Sequence, residues 1–224
     1  MFYSAMLIAG NGTLITNSAS AIVESRMLPS DLTSVATSIF SVAQSGSRVF
    51  TGFLTEVAAT HYKPSKDDGD LAWLGWHSRP LFLSMGALIA AVAHIILAIP
   101  GLGSAGFIVG VTLSGLAYGT IWPLMVLVVG DVFGKTNLGA IYLWFDGSTV
   151  ALGTLLISKM LSQYIYEQHR VHPDSSGAIA DAESSTCFGE ECFQMTHIIT
   201  AILCLTAFVT PFELARRTHK HCTD

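Results

Sequence analysis

Six stretches of this chain are each apolar for close to the roughly 20 residues that an α-helix needs to cross the hydrocarbon core of a bilayer, and no other feature narrows the possible folds as far. They run from Phe2 to Val23, Ser34 to Val57, Pro80 to Ile99, Ala105 to Gly130, Leu138 to Lys159 and Met195 to Leu214. Lipid offers no hydrogen bonds, so only helices and closed barrels satisfy their backbone groups while spanning it. A barrel needs short alternating strands, whereas Pro80 to Ile99 is apolar on every side. The expected fold class is all-α, a polytopic membrane bundle of six transmembrane helices. Hydrophobic residues make up 51% of the chain and charged residues 12%, with a mean hydropathy of +0.54, a heavier apolar load than an ordinary soluble domain carries. The net charge of -5 gathers in the connections, notably Glu167 to Glu191. It describes solvated loops, so the lipid bilayer is an expected partner and nucleic acid is not.

Basic residues near the span ends set the topology. If the 59–79 connection is cytoplasmic, the inside set holds Lys63, Lys66, Arg79, Lys135, Arg216, Arg217 and Lys220, against Arg26, Lys159 and Arg170 outside. Both termini then lie in the cytoplasm of a multi-pass protein, whether in the plasma membrane or an organelle. The expected organisation is two helices in 1–58, a cytoplasmic connection in 59–79, helices three to five in 80–163, an extracytoplasmic connection in 164–194, a sixth helix in 195–214 and a basic tail in 215–224. The N-terminus lacks the basic n-region of a signal peptide, so the first stretch reads as a membrane helix and not a leader ending near Ser18-Ala-Ser-Ala21. Asn11-Gly-Thr13 matches a glycosylation sequon, but within a span it cannot be modified.

Several motifs carry less than they suggest. Gly101-Leu-Gly-Ser-Ala-Gly106 fits G-x-G-x-x-G, yet it joins two membrane helices and lacks the strand and βαβ unit of a dinucleotide site. His219-Lys-His221-Cys222 has no companion ligands at zinc-site spacing and reads as a solvated basic anchor. No phosphate-binding loop of the G-x-x-x-x-G-K-[ST] type appears, which argues against a primary pump within the chain. No nucleophile with a base partner is visible either, so an enzyme, a metal and a cofactor are not expected. Cys187 and Cys192 lie in the outside connection. A disulfide between them would staple the foot of the last helix in an exoplasmic or lumenal compartment, two free thiols being the alternative.

Polar and small residues inside the spans are more informative, because an ionisable group in hydrocarbon is costly unless it faces protein or water. Arg48 lies about ten residues, or roughly 15 Å, from the cytoplasmic end of its span, too deep for easy snorkelling. Gln44, Arg48, Gly52 and Glu56 follow at four-residue steps, a stripe expected to face the bundle interior. One reading gives Arg48 a substrate or counter-charge and Glu56 a cytoplasmic gate; the other is an internal ion-pair network that holds helices together. Asp146 sits about eight residues into the fifth span, where it can carry a proton, compensate Arg48 or hydrogen-bond a kink beside Gly147. Asn17 in the first span and His94 in the third are weaker candidates, since such residues are more often satisfied packing polars. Gly106 with Gly110, Gly115 with Gly119, and Gly130 with Gly134 share faces through which helices approach closely. Gly115-Leu-Ala-Tyr-Gly-Thr-Ile-Trp-Pro123 adds a proline that can break the helix ladder near a Tyr and a Trp able to line a cavity.

These residues also carry a resemblance. Gly115-Leu-Ala-Tyr-Gly119, Val132-Phe-Gly-Lys, Leu138-Gly-Ala-Ile-Tyr142, Tyr164-Ile-Tyr-Glu167 and Glu191-Cys-Phe193 follow the order of the C-terminal half of nodulin-like major facilitator transporters. Upstream, Gly10-Asn-Gly-Thr-Leu-Ile-Thr-Asn17 resembles that family's seventh helix. Ser47-Arg48-Val-Phe-Thr-Gly52-Phe-Leu-Thr-Glu56 resembles its eighth helix running into the facilitator gating motif. Two departures stand out: Ser47 occupies the place of a Gly beside the Arg, and the basic cluster after Glu56 is displaced to Lys63 and Lys66. The resemblance implies a secondary transporter of twelve helices in two six-helix halves, of which this chain supplies one. The expected partners are a small-molecule solute and a complementary N-terminal six-helix half, with Arg48, Asp146, Asn17 and Gln44 along the pathway, Gly52 and Glu56 at a gate, and Gly115, Gly119 and Pro123 in helix packing. The alternative is a non-transporting six-helix scaffold or degenerate remnant.

Overall fold

The structure is a computed structural model that describes residues 1–61, 79–134, 136–169 and 187–223. Those residues form helices and no strand: α1 (Phe2–Ser25), α2 (Leu32–His61), α3 (Arg79–Ala98), α4 (Gly103–Phe133), α5 (Leu138–Gly153), a π-helical segment (Thr154–Leu161), α6 (Ser162–Gln168) and α7 (Glu191–Thr223). Among the described residues, five helical stretches are long and apolar enough to cross a membrane: α1, α3, α4, the run from Leu138 to Gln168, and Glu191–Glu213 of α7. The chain is a multi-pass membrane protein, all-helical among the described residues. The fifth run continues through Gln168, past the expected boundary at 163, because the π segment carries α5 into α6 without a break. Expectations placed on Lys63, Lys66, Lys135, Arg170 and the tail side chains fall outside the described residues.

α2 is 30 residues long but is absent from those five because Ser and Thr fill its first half. Thr37, Ser38 and Ser41 donate to the carbonyls of Thr33, Ser34 and Thr37 at 2.8–2.9 Å. Each hydroxyl is thus satisfied by its own helix, which reduces the cost of placing it in an apolar medium.

Large apolar side chains lie on both the inside and the outside of the bundle, and small residues make the closest contacts between helices. α3 turns Ala87, Ala90, Ala91 and Ala93 inward and leaves Met85, Val92 and Ile95 exposed. In lipid the large side chains gain nothing by leaving an apolar solvent, so small residues that let backbones meet make the contacts. α1 touches α2, α3, α4, α5 and α7, while α3 packs along α4 and α7, and α2 along α4. A Cβ on Gly10 would lie 2.8 Å from the Gly153 carbonyl oxygen, so α1 and α5 cross backbone to backbone there. On α4, a Cβ at Gly115 would stand 2.8 Å from the Phe40 carbonyl oxygen, and one at Gly119 would meet that of Gln44.

Two expectations about α4 are corrected. Gly134 meets nothing within 4 Å and has φ +77, so it terminates the helix and does not pair with Gly130 in packing. Only a residue without a Cβ adopts that left-handed turn freely. Pro123 lies inside a continuous helix; its missing N–H removes one ladder bond, and packing against α2 and α3 holds the rest in register.

At one end of the bundle, Cys187 and Cys192 are joined in a disulfide. The Gly189 N–H donates to the Ser25 carbonyl at 2.8 Å, at the end of α1. The Cys187 N–H donates to the Tyr166 hydroxyl at 3.1 Å, and the Tyr166 ring packs on Phe193 with centroids 5.5 Å apart. The Glu190 carboxylate accepts the Gly101 N–H in the α3–α4 turn at 2.8 and 3.0 Å. Arg26 donates to the Leu97 carbonyl beside it. Burial lowers the pKa of Arg26 while Glu190 opposes the shift.

Candidate functional site

Arg48, midway along α2, extends over the indole of Trp122 on α4 with its guanidinium carbon 4.8 Å from the ring centroid, a cation–π geometry. Tyr118, one helical turn before Trp122, meets that indole edge-on at 5.6 Å and Phe40 of α2 at 5.7 Å. Asp146 lies on α5, one turn after Tyr142. Arg48 acts electrostatically on Asp146, and both charges act on Tyr118 and Tyr142. Three helices therefore bring a cation, an anion, two phenols and an indole around one region.

The polar atoms of this cluster are incompletely satisfied. Arg48 Nε, Trp122 Nε1 and Asp146 Oδ1 are each shielded from solvent without a hydrogen-bond partner. Arg48 and Asp146 form no ion pair with each other; the bridges of the described residues lie at another level. Arg26 Nε, Arg79 Nε and the Nε2 atoms of His94 and His197 share that condition elsewhere in the bundle.

The other expected pathway residues are arranged differently. Gln44 follows the same stripe and packs its backbone on Gly119. The Asn17 Nδ2 donates to Ser158 Oγ at 3.0 Å, and Ser158 donates on to the Thr13 carbonyl at 3.2 Å. That amide thus ties α1 to the π segment, and no contact joins it to Arg48 or Asp146. A π segment in a membrane helix commonly marks a functional region.

Glu56 sits in an ion-pair triad. Arg79, opening α3, contacts Asp131 Oδ1 at 2.7 Å and Glu56 Oε2 at 3.6 Å, linking the ends of α2, α3 and α4. A Cβ on Gly52, one turn earlier, would approach Pro123 at 3.7 Å, so α2 and α4 run close just before the triad. The sequence reading used Arg79 only for topology and missed Asp131. The available signal was an acidic residue closing one apolar span at the same membrane end as an Arg opening another.

His94 also has a partner that sequence reasoning missed. Its Nδ1 lies 2.9 Å from the Nδ1 of His197 on α7, and both residues are fully buried. One ring must donate through Nδ1–H and the other accept, which fixes opposite tautomers. Both histidines lie a short way in from the same membrane end, and that shared depth was the signal.

A cleft of about 800 Å³ opens between α2 and α3, lined by Phe50, Leu54, Phe82, Met85 and Phe212 among others. It reaches Ser47, next to Arg48 on α2, but has no charged residue in its lining. The charged cluster is therefore the better candidate for recognising a solute.

The Yarrowia lipolytica protein named Probable transporter MCH1 is 28% identical over 206 residues, covering 87% of this chain and 37% of that protein. The protein of the same name from Gibberella zeae is 27% identical over 210 residues, covering 86% of this chain and 36% of that protein. The chain spans a little over a third of the length of these curated relatives. No protein-family model matches it, and no solved structure does.

Proposed function

We propose that this chain forms one six-helix wall of a secondary solute transporter of the nodulin-like major facilitator type, corresponding to the C-terminal half. α2 is then the second of six membrane crossings, both termini face the cytoplasm, and a complementary N-terminal half supplies the opposite wall. The observation that carries this reading is Arg48 set within an apolar helix over the Trp122 indole, with the oppositely charged Asp146 in electrostatic reach but not ion-paired to it. Charges at that depth are retained where they border a cavity or a partner. Likeness to two proteins named as transporters supports the same reading. Pathway residues are Arg48 and Asp146 at the centre, with Gln44 and Asn17 above them. Gly52 and Glu56, together with Arg79 and Asp131, form the cytoplasmic gate, since the triad ties the ends of α2, α3 and α4 to one another.

The test is Arg48→Ala in the full-length gene product. Uptake of its native solute is abolished while the amount in the membrane is unchanged. Unaltered uptake rejects the assignment.

A further inference from the structure

We infer that the cleft between α2 and α3 holds one acyl chain of a phospholipid from the leaflet on the Arg79 side; this rests on α2 crossing the bilayer, as in the reading above, and on nothing about the solute. α2 and α3 each pack along α4, and the cleft of about 800 Å³ is the space left between them, lined as well by Leu116 and Thr120 of α4. Gly46, Phe50 and Leu54 supply its α2 wall at four-residue steps, two positions out of phase with Gln44, Arg48 and Gly52. That offset sets the cleft strip and the Arg48 strip on different sides of the helix. Phe50 on the α2 wall and Met85 on the α3 wall are 65% and 53% exposed, so the cleft is open outward and a chain can enter it from the side.

The chemistry and depth of the walls select the occupant. No charged residue lines the cleft, and the Ser47 and Thr120 hydroxyls already donate to the Leu116 and Ala117 carbonyls at 2.7 Å. Water needs about two to four polar partners and finds few here, while an empty cleft forfeits the dispersion contacts of its walls. On α3 the lining runs from Leu81 to Ile89, about 12 Å at roughly 1.5 Å per residue. It begins just inside Arg79, whose ion pair with Glu56 at 3.6 Å ties the two walls together at one end. One leaflet contributes about 15 Å of hydrocarbon, half of the roughly 30 Å core, so the cleft has the depth of a single leaflet's chain. Around the mouth the surface continues apolar through Phe53 and Val92, which makes the cleft a recess in the lipid-facing exterior.

Photo-crosslinking of the full-length gene product in proteoliposomes tests this, with phosphatidylcholine carrying a diazirine midway along one chain as the probe. Adducts read residue by residue should fall on Phe50, Leu54, Phe82 and Met85 on the order of tenfold more often than on Ile202, Leu205 and Val209 of the exposed α7 face, the enrichment that about 1.4 kcal/mol of preference gives. A Cβ on Gly46 meets nothing within 4 Å, so Gly46→Phe fills the cleft without displacing a helix and should bring the cleft adducts down to the α7 level. Met85→Trp, from the other wall, should do the same. Adducts spread evenly over both faces, the mark of ordinary surrounding lipid, or cleft adducts that survive both substitutions, overturn the inference. So does an unlabelled cleft, the result expected if a helix of the complementary half seals the mouth. The transporter reading is judged separately by native uptake in Arg48→Ala, and the crossing of α2 by the accessibility of its two ends.

Discussion

His94 and His197 illustrate how far a single polar atom constrains this bundle. Their rings are bonded only to each other through Nδ1, in a place with no solvent exposure. Replacing His197 by Ala strands a polar nitrogen of His94, at a cost of about 1–3 kcal/mol. Replacing both by Ala should cost less than the two single Ala changes summed, because the second removes an atom already unsatisfied. Denaturant titration of the four proteins in detergent checks both statements, and strict additivity would contradict the pairing. Gly119 shows the opposite constraint, since a side chain there meets the backbone of α2 at Gln44. Gly119→Val is expected to destabilise by about 1–3 kcal/mol through overpacking, read from the same titration. Arg48 and Asp146 were legible in the sequence because a charge deep in an apolar run is costly wherever it points. His197 and Asp131 were not, because their meaning lies in partners 103 and 52 positions away, and periodicity within one helix carries no information about such distances.

Helices are the level at which sequence and structure agree most closely, and the departures have local causes. The apolar runs of α1, α3 and α4 mark their own elements because length and hydropathy act within one segment. α2 is harder to read: its hydroxyls lower the mean hydropathy, yet they fold back onto the carbonyls one turn earlier. Gly130 and Gly134 have the spacing of a packing pair, but the second ends its helix, a distinction made by the chain direction after it. The ends of elements also carry electrostatic and covalent ties of unequal weight. Glu56 is largely exposed in its bridge to Arg79, so Glu56→Gln should change stability by less than about 1 kcal/mol while altering the rate of uptake if the triad gates the pathway. Melting and initial-rate measurements on the same preparation separate the two effects. At the other end, the disulfide should leave Cys187 and Cys192 unreactive toward maleimide until a reductant is added; full labelling without reductant would remove that staple.

Assembled, the described helices pack around a central α1 with small, polar and large apolar residues between them, and turn many further large apolar residues such as Phe50, Phe53, Trp144 and Ile202 outward. That arrangement makes sense only in a membrane, and the proposed pathway exists only if α2 crosses it, since Arg48 reaches mid-depth on that helix. Single added cysteines at Ser30 and His61, at the two ends of α2, test this most directly when treated with a membrane-impermeant maleimide in intact cells. The account predicts labelling at Ser30 from outside the cytoplasm and at His61 only after the cytoplasmic face is opened. Labelling of both positions from the same side would mean that α2 does not span, and would contradict the placement of Arg48 beside a solute pathway.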